Sequence, residues 1–224
     1  MTDGSTQIEA LRAELSKVLA AGNEARGVEI AREALASGMT PTAMFLEVVQ
    51  PLLYEVGKQF ERLEIFLPEL IKAAKVVKAM QREVLEPAIR EQHGSNVEAG
   101  TVVIGTCQGD IHDIGKNMVS LMLQVNGFKV VDLGVDVSAQ QFIEAARNHD
   151  ASIIGMSSLL TTSMPYMADV IKQLEGLGLR DRFKVIVGGA PVTEAYAQRI
   201  GADAYGADAV DAVRKCRQLL GLEE

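Results

Sequence analysis

The sequence contains no tryptophan and few aromatic residues of any kind. Aromatic residues make up only 4% of its 224 positions, which argues against a stacking platform for single-stranded nucleic acid or sugars. Basic residues are also too few for a nucleic-acid surface, because 22 Lys and Arg stand against 30 Asp and Glu and the formal net charge is -8. Most of such a surface would repel a phosphate backbone. We therefore expect no nucleic-acid partner.

Cysteines and long apolar runs are scarce as well. The two cysteines, Cys107 and Cys216, lie far apart in sequence, so they form neither a metal-ligand pair nor a disulfide framework, as is typical of the cytoplasm. The N-terminal stretch has no apolar signal core, and no apolar run reaches the roughly 18 residues that a membrane span requires. We therefore expect a cytoplasmic chain with no membrane partner.

Apolar residues are nevertheless abundant, at 48% of the chain. In residues 1–93 they recur at helical spacing, as in the segment IEALRAELSKVL. Asn23 and the pair Thr40–Pro41 are typical helix starts, Gly38 is a typical helix end, and Pro68 lies near the start of a further helix. This pattern predicts a small four-helix bundle over residues 1–93.

The pattern changes after this region. Residues 94–100 are predicted to be a linker, and residues 101–224 alternate short apolar runs with amphipathic segments. The runs TVVIGT, FKVVDLG, ASIIGMS and FKVIVGG, with a weaker ADAYG, are typical of buried parallel strands. The second domain is therefore predicted to be a doubly wound α/β domain of the flavodoxin-like or Rossmann-like type, with a five-stranded parallel sheet.

Unusual residues follow the predicted strands at their carboxyl ends, where open parallel sheets bind ligands. They are mostly glycines, small hydroxyl residues and loop residues with polar side chains, which together would make a cleft for a bulky ligand. The candidate binding residues of this domain are Gly109, Asp110, Ile111, His112, Asp113, Gly115, Ser157, Leu159, Thr161, Ser163, Gly188, Gly189 and Ala207.

Asp110, His112 and Gly115 form the pattern D-x-H-x-x-G. A neutral imidazole is a good ligand for a borderline metal such as cobalt, and a carboxylate two residues earlier can fix its tautomer. No second His or Cys lies nearby at ligand spacing, which disfavours zinc. The pattern alone is short, and a histidine in a loop is often a surface or hydrogen-bonding residue, so both interpretations stay open on these positions. Cys107, next to the loop, is expected to be a small buried residue and not a ligand.

The surroundings of this pattern resemble a known family. GDIHDIGKN followed by NGFKVVDLGVDV resembles the cobalamin-binding domain of cobalamin-dependent methionine synthase, and equally the corrinoid proteins of methanol, methylamine and aryl-methyl-ether methyltransferase systems. GMSSLLTTSM, VIVGGAPV and YGADA resemble the later binding segments of that family. VGKQFERLEIFLPELIKAA resembles the helical cap that precedes the cobalamin domain, so that the resemblance covers nearly the whole chain.

The resemblance implies a role for each matching residue. His112 would be the lower axial ligand of cobalt in place of the cofactor's own dimethylbenzimidazole, Asp110 would bind the far side of that imidazole, and Ser163 would extend the relay. The other implied contacts concern the nucleotide tail and the upper face of the corrin. For the tail they involve Ser157, Thr161, Gly115, Gly188, Gly189 and Ala207, and for the upper face the cap residues Phe60 and Leu67, whereas Phe66 is expected to be bundle core.

The implied function is to carry a methyl group on the cobalt of a cobalamin, as methylcobalamin or a related corrinoid, without catalytic turnover of the chain alone. The implied partners are a substrate-specific methyltransferase, an acceptor methyltransferase and a reductive activator of Co(II). Two alternatives are a cobalamin-dependent sensor or regulator and the small subunit of an adenosylcobalamin mutase. A regulator usually needs a basic output element, and the mutase subunits generally lack the cap. A flavodoxin-like module without cobalt is a further alternative.

Overall fold

The chain, analysed as a computed structural model, is described for residues 3–92 and 99–222. It divides into two compact units, Met1–His93 and Gly94–Glu224. Most of the predicted linker lies outside the described residues. Its last residue, Gly100, begins the first strand.

The first unit is helical, and two of its helices begin at residues with capping side chains. The Asn23 side chain accepts a hydrogen bond from the Arg26 N–H, and the Thr40 hydroxyl accepts one from the Ala43 N–H. Its α-helices are α1 Asp3–Ala21, α2 Glu24–Ala36, α3 Pro41–Ala43, α4 Gln50–Glu61, α5 Leu67–Met80 and α6 Glu86–Gln92. Two π-helical segments, Met44–Val49 and Gln81–Leu85, join α3 to α4 and α5 to α6. The helical path therefore has four long stretches, which confirms the predicted helical region.

Both π-helical segments are followed closely by a proline. Pro51 and Pro87 lack an N–H, and the ring of a proline in a helix collides with the carbonyl four residues before it. Just before each proline, the helical turn contains one residue more than an α-helical turn. The Gln50 N–H donates to the Phe45 carbonyl, and the Glu86 N–H donates to the Gln81 carbonyl, five residues back in each case. The wider turn lets the helix continue past each proline.

The core of the first unit forms where α5 packs against α1 and α2. Gly27 on α2 permits the close approach, since a Cβ atom at this position would lie 2.5 Å from Val76 Cγ1 on α5. Among the largest fully buried side chains here are Leu15, Leu19, Met80, Leu85 and Ile89. Within the described parts of both units, no helix combines the length and the apolar character of a membrane span.

The second unit is the predicted α/β domain. Its strands are β1 Gly100–Thr106, β2 Phe128–Asp132, β3 Ile153–Ser157, β4 Lys184–Gly188 and β5 Ala204–Gly206, and its helices are α7 Ile114–Val125, α8 Ala139–Asn148, α9 Met164–Gly176, α10 Glu194–Ile200 and α11 Ala209–Leu219. The five strands form one sheet in the order β2-β1-β3-β4-β5, and every pair is parallel. This confirms the predicted fold class.

The register of the sheet places four strand ends in one row. Thr106 pairs with Ser157, Ser157 with Gly188, and Gly188 with Gly206. The strand order reverses direction between β1 and β3, so the connections from these two strands lead to opposite sides and leave a crevice between them. The loops after β1 and β3 flank that crevice.

Candidate corrinoid site

The loop after β1 carries the site's most chemically specific residues. The hydroxyl of buried Thr106 donates to the His112 carbonyl at 2.9 Å and holds the far end of the loop against the strand it leaves. Helix α7 then begins at Ile114, and the buried ammonium of Lys116 ties it to Asp132 at the end of β2, with 2.5 Å between Nζ and Oδ2. The far end of the loop is therefore held by the strand before it and through the helix after it.

Asp110 and His112 form the central contact of the site. One oxygen of Asp110, Oδ1, lies 2.6 Å from His112 Nδ1 and also accepts the His112 backbone N–H at 3.1 Å. A carboxylate acceptor at Nδ1 places the proton on that nitrogen and leaves the lone pair on Nε2. Asp110 is fully buried, whereas the His112 side chain is 44% exposed, so the imidazole is held from one side and reachable from the other.

The second oxygen of Asp110 binds the loop after β3. Asp110 Oδ2 accepts the backbone N–H groups of Leu159 at 2.7 Å and Leu160 at 3.1 Å, and the Ser163 hydroxyl at 3.1 Å. Burial alone would raise the pKa of Asp110, but the hydrogen bonds from His112, Leu159 and Leu160 outweigh it and lower the pKa below its ordinary value. The ionised carboxylate thus joins the two loops across the crevice.

Ser158 belongs to this network although the sequence pattern did not single it out. Its buried hydroxyl oxygen lies 2.6 Å from that of Ser163. The predicted site residue Ser157 is the last residue of β3, and its carbonyl accepts the Cys107 N–H at 2.9 Å. The sequence signal for this contact is the pair Ser157–Ser158. Successive residues of a strand point to opposite sides of the sheet, so only one of the two serines can reach the network of Asp110.

Asp136, in the loop after β2, is a second residue that the sequence analysis missed. Its carboxylate oxygen Oδ1 accepts the Gly109 N–H at 2.7 Å, and its own N–H donates to the Asp110 carbonyl at 3.0 Å. The backbone of Asp136 has a left-handed φ of 56°, a conformation that Asp and Asn tolerate better than most residues. This reciprocal pair braces the Asp110 loop from the side of β2.

Replacing Asp136 by Ala should loosen that brace. Ala offers no side-chain acceptor and is less suited to a positive φ, so we expect the free energy of unfolding to fall by about 1–2 kcal/mol. Amide hydrogen exchange should show faster exchange at Gly109. Asp136→Asn keeps both the acceptor oxygen and the tolerance for this φ, and it should stay close to the wild type. Equal losses in the two variants would contradict a bracing role.

The remaining predicted residues surround these loops. Ile111 is 74% and Leu159 44% exposed, and they provide an apolar surface next to His112. Thr161 is exposed, and Asp113 directly precedes α7. Ala207 is exposed beyond β5, where its N–H donates to Asp211 Oδ2 at 3.1 Å.

The three predicted channel glycines have different surroundings. A Cβ atom at Gly115 would meet nothing within 4 Å. At Gly188 it would lie 2.9 Å from the Gly206 carbonyl oxygen, and at Gly189, where φ is 122°, only 1.9 Å from the Ser158 carbonyl oxygen. Close packing against neighbouring backbone atoms therefore explains why glycine stands at 188 and 189, without any contribution from a ligand. Gly115, in contrast, borders open space.

The predicted cap residues lie at the junction of α4 and α5 in the first unit. Phe60 is 37% exposed and Leu67 is 57% exposed. Phe66, expected to be bundle core, is 65% exposed, so that prediction is wrong: it directly precedes α5 in extended backbone, outside the helices that form the core. Other exposed apolar side chains of this unit are Tyr54, Leu63 and Ile71. The unit thus presents large apolar side chains to its surroundings, as a contact surface for an apolar ligand requires.

The metal-binding groups of the site suit a metal whose other ligands come from a cofactor and not from the protein. Across residues 3–92 and 99–222, no three His, Cys, Asp or Glu side chains are grouped so as to hold a metal ion. Cys107 is buried as predicted, and burial, together with the charge of Asp110, raises the pKa of its thiol to about 12. A single imidazole beside an exposed apolar surface fits a macrocyclic complex such as a corrinoid, whose ring supplies the other donors to the metal.

Comparisons with known proteins agree with this chemistry. Two family models, each described as a B12 binding domain, match residues 100–214 and 11–82. Trimethylamine corrinoid protein 1 of Methanosarcina acetivorans is 43% identical over 198 residues, which are 88% of this chain and 91% of that protein. The structure of the monomethylamine corrinoid protein of Methanosarcina barkeri matches with a TM-score of 0.85 at 34% identity, over 94% of this chain and 99% of that one. The methanol:cobalamin methyltransferase complex of the same organism contains a chain matched with a TM-score of 0.53 at 27% identity, over 95% of this chain and 80% of that one.

The chain belongs to the B12-binding corrinoid protein family. It carries a corrinoid with a central cobalt and serves as a methyl-carrier component of a methyltransferase system.

Proposed function

We propose that this chain carries methyl groups in a methylamine-dependent methyltransferase system, with His112 Nε2 as the lower ligand of its cobalt. The observation that carries the proposal is the 2.6 Å contact between Asp110 Oδ1 and His112 Nδ1, because it leaves the other ring nitrogen free to bind a metal. The substrate class is supported by the relatives, which are named as trimethylamine and monomethylamine corrinoid proteins.

The cobalt of a bound corrinoid supplies a centre that accepts and releases methyl groups. The chain's own contribution is to orient one imidazole. Asp110 holds the proton at His112 Nδ1, and Leu159, Leu160 and Ser163 hold the carboxylate by donating to its second oxygen. A ligand held in this way needs no rearrangement to bind metal, and a carboxylate partner makes its nitrogen more basic.

The nucleotide tail and the upper face of the corrin would be held by other residues. We infer that the tail passes over Gly115 and along Ser157, Thr161, Gly188, Gly189 and Ala207. The support is the open space at Gly115 and the row of strand ends next to it. On the upper face, Phe60 and Leu67 would exclude water, since both are large apolar side chains that remain exposed in their own unit.

Gly115→Ala tests the proposed route of the tail. The substitution meets no atom within 4 Å and lies in helix α7, so the protein without cofactor should be as stable as the wild type or gain up to about 1 kcal/mol. Its uptake of cobalamin should nevertheless weaken, because the added methyl group takes space that the tail would use. Titration with hydroxocobalamin measures cofactor uptake, and thermal melts of the protein without cofactor measure stability. Unchanged uptake would argue against this route.

The partner of the chain would be a methyltransferase that acts on the methylamine. A complex of this kind exists for the methanol:cobalamin methyltransferase, which contains a similar chain. An acceptor methyltransferase and a reductive activator of Co(II) remain predictions. A cytoplasmic location is supported by Cys107 and Cys216, both of which are free thiols.

Reconstitution tests the proposed substrate class. The protein is loaded anaerobically with hydroxocobalamin, reduced, and mixed in turn with monomethylamine, dimethylamine, trimethylamine or methanol, each with its matched methyltransferase. We expect methylation of the cofactor, read from its absorption spectrum, with one of the methylamine systems and none with methanol. Methylation with methanol alone would overturn the proposed substrate class and leave the methyl-carrier function untouched.

A further inference from the structure

A second hydroxyl group lies behind the one that contacts Asp110. Ser158 is fully buried, directly after the end of β3. Its Oγ atom lies 2.6 Å from Ser163 Oγ and 2.9 Å from the Leu160 carbonyl oxygen. Ser163 Oγ in turn lies 2.9 Å from the same carbonyl and 3.1 Å from Asp110 Oδ2. Two hydroxyl groups therefore share the same few acceptors.

The number of protons limits how these contacts can be made. Each hydroxyl has one proton, and two hydroxyl oxygens at 2.6 Å must have a proton between them. In the first arrangement Ser158 donates to Ser163, and Ser163 donates to Asp110. In the second, Ser158 donates to Ser163, and Ser163 donates to the Leu160 carbonyl. In the third, Ser163 donates to Ser158, and Ser158 donates to the Leu160 carbonyl. Asp110 loses a donor in the second and the third. The first arrangement is favoured because its chain ends on an ionised carboxylate, and hydrogen bonds to charged acceptors are the stronger ones.

We propose that Ser158 is a positioning residue whose donated hydrogen bond polarises the Ser163 hydroxyl toward Asp110 and thereby strengthens His112 as a cobalt ligand. This inference rests on the proposed role of His112. The hydrogen bond that Ser158 donates makes the Ser163 O–H group a stronger donor, and so strengthens its bond to the carboxylate. The polarised chain of Ser158, Ser163 and Asp110 ends at the atom pair that holds the imidazole.

Without the Ser158 hydroxyl, the Ser163 hydroxyl loses the donor that polarises it. Its hydrogen bond to Asp110 Oδ2 at 3.1 Å would then be weaker, and the Leu160 carbonyl at 2.9 Å would compete better for the same proton. Asp110 would then be less firmly held and His112 a weaker ligand. Ser158→Ala should therefore act in the same direction as Ser163→Ala and by a smaller factor.

A double-mutant cycle on the loaded protein tests this dependence. Ser158→Ala, Ser163→Ala and the double variant are loaded with cobalamin and reduced to Co(II), and the ratio of imidazole-ligated to unligated cobalt is measured. The nitrogen hyperfine splitting in the electron paramagnetic resonance spectrum of protein labelled with 15N-histidine reports this ratio, because the label distinguishes the imidazole of the protein from the cofactor's own dimethylbenzimidazole. We expect a loss of about 10-fold for Ser163→Ala, the lower end for residues that orient a metal ligand, and a smaller loss for Ser158→Ala. The double variant should match Ser163→Ala alone.

Ser158→Gly, which removes the same hydroxyl with its Cβ atom, should repeat the result. Ser152→Ala is the matched control, because Ser152 lies just before β3, at the opposite end of the strand. A second readout needs no cofactor: the amides of Leu159 and Leu160 should exchange faster in Ser158→Ala and in Ser163→Ala, with no further increase in the double variant. Additive effects in the two cycles, or no effect of Ser158→Ala in either, would overturn the proposal.

The same measurements separate this proposal from the proposed function. If His112→Ala labelled with 15N-histidine retains the two-line nitrogen splitting of the labelled wild type, His112 is not the ligand and the proposed function fails. If His112→Ala abolishes the two-line splitting while Ser158 and Ser163 act additively, only the role of Ser158 fails.

Discussion

Replacing Asp110 by Asn is expected to cost about 3 kcal/mol or more of folding free energy and to weaken the ligation of cobalt by His112. The carboxylate of Asp110 is fully buried and accepts hydrogen bonds from His112, Leu159, Leu160 and Ser163. An amide of the same shape must direct an NH₂ group at one of these sets of donors, and buried donors without an acceptor are costly. Chemical denaturation measures the first effect, and the spectrum of the loaded protein measures the second.

Acid should remove the same stabilisation from the wild-type protein. The folded-state pKa of Asp110 is lowered, because its hydrogen bonds outweigh the effect of burial, so its contribution is fully present above the unfolded-state pKa of about 4. The contribution is lost as the pH falls through the folded-state value. Asp110→Asn should therefore lose less stability between neutral and acidic pH than the wild type does. Asp150→Asn is the control, since the Asp150 side chain is 95% exposed, and it should lose as much stability in acid as the wild type does. An acid-induced loss in Asp150→Asn as small as that of Asp110→Asn would contradict this account.

Replacing Gly189 by Ala is expected to destabilise the α/β unit by about 3 kcal/mol or more. The added Cβ atom would lie 1.9 Å from the Ser158 carbonyl oxygen and 2.8 Å from its carbonyl carbon, so the backbone after β3 would have to move. The φ of 122° adds conformational strain for any L side chain. Because Ser158 belongs to the network that holds Asp110, the ligation of cobalt should weaken together with the stability.

Gly176→Ala provides the matched control for this steric effect. Gly176 is the last residue of α9, and a Cβ atom there would meet nothing within 4 Å. Alanine is the better helix former, so this variant should be neutral or slightly more stable. Thermal melts of the two variants measure this difference in stability. A Gly189→Ala protein with the melting temperature of the wild type would show that the loops after β3 and β4 are not closely packed.

The elements of the second unit were predictable because apolar periodicity reports which positions are buried. Five short apolar runs became five parallel strands, and the rule that ligands bind beyond strand ends led to the loops that contain Asp110 and Ser163. The pattern D-x-H-x-x-G placed the Asp110–His112 pair, since a two-residue separation lets the carboxylate reach the ring nitrogen directly.

Long-range contacts set the limits of that prediction. Asp136 reaches Gly109 across 27 positions of sequence, and nothing in the local pattern around either residue announces the contact. Ser158 acts through Ser163, which depends on how the loop after β3 turns. Phe66 was expected in the bundle core because apolar residues usually are, but its extended backbone places it outside the helices. The π-helical segments were missed because apolar spacing does not report the register of backbone hydrogen bonds.

The most direct test of the account is the electron paramagnetic resonance spectrum of His112→Ala loaded with Co(II) cobalamin. In the wild type labelled with 15N-histidine, an imidazole nitrogen on the cobalt should split each line of the signal in two, whereas the 14N of the cofactor's own dimethylbenzimidazole would split it in three. The two-line splitting should vanish in His112→Ala, while His149→Ala, which changes a histidine at the end of α8, should keep it. A labelled His112→Ala protein that retains the two-line splitting would contradict the assignment of His112 as the cobalt ligand.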